Sequence, residues 1–196
     1  MINYRIQLFN VKNASDIEYR AVNTFANLMR AEQLANDPPI PLEEQTQSFK
    51  NIPDFVDVHA WGMWNADESA LVATGSVAFL RMEENKHVGE LKIEVLPPYR
   101  RRGIARQLLA LATETARCEQ RTLLITDTNE CIPAGEAFMN RLGAQRGLEN
   151  HTNQLDLADL PRGLVKKWLE HAYEHATAFE IGLWDQAYPQ EFIDDI

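Results

Sequence analysis

"PPYRRRGIARQLL", residues 97–109, places four arginines and one glycine between a proline pair and the start of an apolar-faced helical pattern. The surrounding chain is acidic, with a formal net charge of −10, so such a segment implies a specific anionic partner. The first amides of a helix have no partners within it, and the aligned peptide dipoles leave positive potential there. Glycine permits close backbone approach to a bulky anion, and arginine adds directed, charge-assisted hydrogen bonds. Together these features make a phosphate cradle. Taken alone, the stretch reads equally as a solvated basic turn.

Working outward, His87 to Leu96 alternates as a strand and stops at Pro97-Pro98. Ile104 to Cys118 is predicted as a helix with Ile104, Leu108, Leu111, Ala112 and Thr115 on one stripe. Upstream, residues 4–9 read as a strand and 16–34 as a helix facing inward through Ile17, Ala21, Phe25, Leu28 and Met29. A short helix is expected over 43–50, then a hairpin of strands at 55–64 and 71–80. Downstream come a short buried strand at 122–126, a helix at 134–142 capped by Gly143, and strands at 144–149 and 154–157. Asp159 is the expected N-cap of a helix with Pro161 in its first turn, reaching about Ala176. This order gives a mixed α/β sheet rather than a βαβ array.

The 196 residues suit one domain, or one domain with an appendage, and 45% hydrophobic content supports a sizeable core. The acidic balance excludes broad nucleic-acid binding. Two cysteines, Cys118 and Cys131, make no disulfide framework and point to a reducing cytoplasmic setting. Neither a signal peptide nor a membrane span is expected.

Arg100-x-x-Gly103-x-Ala105, following "EVLPPY" and opening a helix, resembles the pyrophosphate signature of the GCN5-related N-acetyltransferase (GNAT) family. The resemblance spans residues 4–157. It implies a mixed α+β fold with a central, mostly antiparallel, splayed sheet flanked by helices. A bulge in the strand at 88–96 would splay it from 122–126 and open a cleft for acetyl-CoA as co-substrate, with no metal. Backbone around Ile93 and Val95 would take the pantetheine. Arg100, Arg101, Arg102, Gly103, Ile104, Ala105 and Arg106 would form the cofactor-binding stretch, with the diphosphate on amides between Arg101 and Arg106 and the 3′-phosphate as an alternative partner of the arginines. Asn129 resembles a CoA-contacting amide position, with a loop-turn role as the alternative.

The implied reaction is acetyl transfer to a small-molecule or peptide amine, with a backbone N–H near Val95 polarising the thioester carbonyl. The base would be Glu90 or Glu94, although both also read as solvent-facing strand residues. In "FMNRLGA", residues 138–144, Met139 stands where many family members carry a tyrosine acid. Either another group protonates the leaving thiolate, or the domain is a degenerate acyl-CoA-binding module.

His171 and His175 share a helix face but read as exposed residues rather than zinc ligands. Trp61 and Trp64 read as packing residues, and Asp54, Asp57, Asp67 and Glu68 as a solvated acidic rim. Residues 4–17 and 179–192 match in register. As a repeat, that match divides the chain into a GNAT domain at 1–158 and a segment at 159–196, a connector helix followed by a strand opening a second copy; the alternative is two ordinary amphipathic strands. Dimerisation or pairing with a second GNAT half follows as the expected association.

Overall fold

The computed structural model describes residues 4–151, 153 and 155–179. The chain divides into two compact units after Gln145. In the first, the elements run β1 (Arg5–Phe9), α1 (Asp16–Gln33), α2 (Leu42–Lys50), β2 (Val56–Trp64), β3 (Leu71–Leu80), β4 (Val88–Val95), α3 (Ile104–Cys118), β5 (Leu123–Ile125) and α4 (Pro133–Leu142). The sheet order is β1-β2-β3-β4-β5. The first four strands are antiparallel and β5 runs parallel to β4. This is the mixed, mostly antiparallel open sheet flanked by helices that the sequence predicts.

A capping box starts α1. Glu18 N–H donates to Ser15 Oγ at 3.3 Å, and Ser15 N–H donates to the Glu18 carboxylate at 2.8 Å. Its buried face is Tyr19, Phe25 and Met29. The expected face included Ile17 and Leu28, but these are 76% and 54% exposed. At 100° per residue, Ile17 lies on the far side of the helix from Tyr19. Phe25 and Met29 pack on Leu71, with Trp64 and Leu96 alongside.

On the other face of the sheet, α3 buries Ile104, Leu108, Ala112 and Ala116 against Met63, Ala73, Val77, Phe79 and Leu91. A Cβ built on Gly75 would lie 3.0 Å from Leu108 Cβ, so the bare backbone of β3 lets the helix sit close on the sheet.

Further expectations fail. Residues 144–149 form no strand, and neither do the described residues of 154–157. With no strand on its far side among the described residues, β5 is not buried: Leu123 and Ile125 are 47% and 45% exposed. No bulge interrupts β4, whose register with β3 runs unshifted from Ala78↔Glu90 to Ala73↔Val95. The irregularity lies instead between Met63 and Trp64 in the β2–β3 pairing.

In the second unit, α5 spans Arg162–His175. Pro161 occupies the N-cap with no side-chain hydrogen bond, while Asp159 belongs to the preceding turn. Leu164, Trp168, Leu169 and Tyr173 are exposed along it. Beyond Phe179, the expected strand at 179–184 lies outside the described residues. No helix among the described residues is long and apolar enough to cross a membrane.

Candidate active site

The pairing of β4 with β5 covers only Val88↔Leu123, Gly89↔Leu124 and Glu90↔Ile125. Beyond that point β4 continues alone on this side for five residues. Backbone alternation decides what it presents there. Leu96 N–H donates to Val72 O, and Leu123 N–H donates to His87 O. Even-numbered residues of β4 therefore bond toward β3, and odd-numbered ones turn their peptide groups toward β5. Ile93 and Val95 continue the odd row past the end of β5. Both peptide groups of Ile93 and the N–H of Val95 face a side of β4 that no strand covers among the described residues, without any bulge, while Val95 O accepts from Arg100 Nε.

The uncovered end of β4 runs on into the turn before α3. Arg101 and Gly103 both take left-handed backbone, at φ 61° and 81°. Turns of this kind draw successive N–H groups into an anion-binding concavity. Gly103 is the N-cap of α3 and supplies no side-chain hydrogen bond. The first helical bond of this turn runs from Gln107 N–H to Gly103 O at 3.2 Å. Among the described residues no acceptor meets the amides from Arg101 to Arg106. A Cβ built on Gly103 meets nothing within 4 Å, so the space beside these donors is open.

The four arginines of the opening stretch separate into distinct roles. Arg100 turns inward, forking onto Glu32 of α1 at 2.7 and 2.5 Å and donating from Nε to Val95 O at 2.9 Å. Arg102 donates to the Tyr4 hydroxyl at 3.2 Å and lies over the Tyr99 ring at 5.6 Å. Arg101 and Arg106 are exposed and form no ion pair among the described residues. Ile104 is buried in the core, and Ala105 is half-buried in the first turn.

The two glutamates also separate. Both project to the face of β4 opposite α3, but Glu90 is exposed at the strand's start. Glu94 lies about 13 Å further along, its side chain 18% exposed and its carboxylate 3.3 Å from Lys92 Nζ. Glu94 and Lys92 line a cavity of about 230 Å³ between the sheet and α1–α2. Phe9, Val22, Phe25, Phe49 and Ile52 form much of its wall, together with Trp61 and Trp64. Both tryptophans also pack against the core clusters, as expected.

Asn129 is occupied in its own loop, where its side-chain oxygen accepts from Cys131 N–H at 2.9 Å. Met139 is half-buried on α4. His171 and His175 are exposed on α5, with ring centroids 4.2 Å apart. Asp57 is no free rim residue. Arg81 binds both Asp57 and Glu119, the latter at 2.5 Å, and His59 Nε2 lies 3.5 Å from Asp57. Burial pushes the Asp57 carboxyl up, but Arg81 and His59 outweigh it and hold it below its ordinary value. Hydrogen bonding to Arg81 likewise lowers Glu119, and Arg81 itself is raised.

Sequence reasoning missed Glu32 and Lys92. Glu32 lies 68 residues from Arg100, so no local spacing could signal the pair. Lys92 was legible: two residues from Glu94 on a strand, it shares the same face. The free amides, the open space at Gly103, the uncovered peptide groups of Ile93 and the free Val95 N–H fit a ligand with a diphosphate and an amide-bearing arm, as CoA has.

The chain's fold matches an aminoglycoside acetyltransferase from an uncultured soil metagenomic sample, solved with sisomicin, at 10% identity and TM-score 0.57 over 78% of this chain and 97% of that one. It also matches glucosamine-6-phosphate N-acetyltransferase from Arabidopsis thaliana, at 15% identity and TM-score 0.55 over 79% and 99%. A tandem GNAT protein from the clavulanic acid biosynthesis pathway matches at 23% identity and TM-score 0.55, over 74% of this chain and 45% of that one. No curated protein matches in sequence. The profile of the acetyltransferase (GNAT) family matches residues 24–144, more than half of the chain, so the chain belongs to the acetyltransferase (GNAT) family.

Proposed function

We propose that the chain is an acetyl-CoA-dependent N-acetyltransferase acting on a small amine. One observation carries this reading. Consecutive residues of β4 serve two sides: the Val95 N–H faces the side that β5 leaves uncovered, while the Glu94 side chain enters the cavity under α1 and α2.

Acetyl-CoA supplies the acyl group as a thioester. Ile93 would bond the pantetheine amides through its open peptide groups, and the amides from Arg101 to Arg106 would take the diphosphate. Arg101 and Arg106 add charge there, and Arg100 braces the turn from behind. Val95 N–H is placed to polarise the thioester carbonyl as negative charge builds on oxygen. Glu94 accepts the proton that the acceptor ammonium must lose to become a nucleophile. Glu90 is too far along the strand to share that task. With Met139 unable to donate a proton, water protonates the leaving thiolate.

Cys118 and Cys131 are free and exposed thiols, in keeping with a reducing cytoplasm. The likeness to a tandem GNAT protein and the exposed outer edge of β5 support pairing with a second GNAT half.

Calorimetric titration with acetyl-CoA, followed by thiol release over a panel of amines, tests the proposal. Saturable binding with amine-dependent release is expected. Binding without release from any amine would leave a CoA-binding module and overturn the transferase.

A further inference from the structure

The cavity beside Glu94 has a definite chemistry. Its wall is dominated by Phe9, Val22, Phe25, Phe49, Ile52 and Trp64. Phe49 is held by an edge contact to Phe9 at 6.0 Å and by stacking on Tyr19 at 6.2 Å, so this wall is a fixed aromatic surface. Two carboxylates line the cavity, but only one is available. Glu18 is tied into the capping box, receiving hydrogen bonds from Ser15 N–H and Oγ at 2.8 and 2.7 Å.

Among the described residues Glu94 pairs only with Lys92, whose side chain is 68% exposed, at 3.3 Å. Pairs of this kind contribute about 0–1 kcal/mol, so an incoming ammonium can displace Lys92 into solvent. At about 230 Å³ the cavity is smaller than a typical drug-sized site. One available carboxylate and limited volume disfavour polycations, and a phosphorylated sugar would place a second anion beside Glu94, with the neutral Gln7, Gln45, Thr74 and Ser76 as the remaining polar lining besides Lys92 and the tied Glu18.

From this we infer that the acceptor is a small primary amine with a single charge and an apolar, preferably aromatic, body, seated with its ammonium on Glu94. The inference rests on the transferase reading for its chemistry, but concerns the other half of the site. Placing the apolar body among the phenylalanines leaves the nitrogen at the Val95 end of β4, where the acyl group would be delivered.

The test uses the full chain and four probes: 2-phenylethylamine, ethanolamine, spermine and glucosamine 6-phosphate. Binding is measured calorimetrically with and without CoA, and acetylated product by mass spectrometry. 2-Phenylethylamine is expected to bind at least about tenfold more tightly than the other three and to be acetylated. The near-isosteric Glu94→Gln variant should lose about tenfold in affinity for 2-phenylethylamine while binding 2-phenylethanol as the parent does. Equal affinity for the polar amines, or equal loss of amine and alcohol in Glu94→Gln, would overturn the assignment. The two readings fail separately. Acetyl-CoA binding with release to polar amines alone sinks the acceptor class. Tight 2-phenylethylamine binding without any acetyl-CoA binding sinks the transferase.

Discussion

Arg100 and Glu32 form a two-pronged ion pair, 2.7 and 2.5 Å between nitrogens and oxygens, that ties the turn before α3 to the end of α1. Both side chains are mostly buried, at 20% and 26% exposed. Arg100 also donates to Val95 O. The first arginine of the signature thus braces the cradle and keeps Val95 in place.

Removing one prong should loosen that brace. In Glu32→Gln the pair loses its charge and part of its fork, costing about 1–3 kcal/mol. A lower thermal midpoint and a several-fold weaker acetyl-CoA affinity are expected together. Arg100→Lys should not restore either, since an ammonium cannot fork onto a carboxylate while also reaching Val95 O. An unchanged affinity in both variants would show that the brace plays no part in binding.

Gly103 separates steric strain from charge. Gly103→Ala adds a Cβ that meets nothing within 4 Å, so only the left-handed backbone is penalised, by about 1–2 kcal/mol. Gly103→Glu adds a carboxylate beside the free amides, where it should oppose a diphosphate. Acetyl-CoA titration should find the alanine variant weakened mildly and the glutamate variant by 100-fold or more. Equal affinities for the two would place the ligand elsewhere.

The carboxylates of β4 predict different kinetics. Glu94→Gln should lower kcat by about 10²–10⁴-fold through loss of the proton acceptor. Glu90→Gln, at an exposed position, should stay within about threefold of the parent. Steady-state thiol release reads both, and the reverse ranking would make Glu90 the base.

Acid should act through the Arg81 cluster. The folded values of Asp57 and Glu119 are lowered. Their stabilising contribution is therefore complete above the unfolded carboxylate range, about pH 4, and disappears as pH falls through the lowered values. Replacing Arg81 with methionine should lower the urea midpoint at pH 7 and flatten its acid dependence, so that the two curves converge near pH 3. Parallel curves would remove the cluster from the pH response.

Leu108→Ala tests the seat of α3. Leu108 is fully buried against the sheet beside Gly75, so truncation should cost about 2–5 kcal/mol. The urea midpoint measures it. A loss below 1 kcal/mol would mean that α3 is not anchored through this contact.

Much of the fold was legible because its signals are local. Pro97-Pro98 and Gly103 punctuate the sequence, and the stripe of α3 buries Ile104, Leu108 and Ala112 as its period predicts. The family resemblance rested on the same short run. What the sequence did not disclose depends on contacts across the fold. Nothing near Arg100 announces Glu32, and nothing near Glu94 reveals that Phe9 and Phe49 share its cavity. The apolar run at 122–126 reads as a buried strand, yet β5 is left half-exposed because the expected partner strand at 144–149 does not form.

The three-residue length of β5 has an unexpected design consequence. Extending β5 by the five residues over which β4 outruns it would satisfy the peptide groups of Ile93 and the Val95 N–H within the protein and zip the sheet shut. Such a variant should gain rigidity and lose its reason to meet a nucleotide at all. The specificity of this domain therefore lies partly in hydrogen bonds it declines to make with itself.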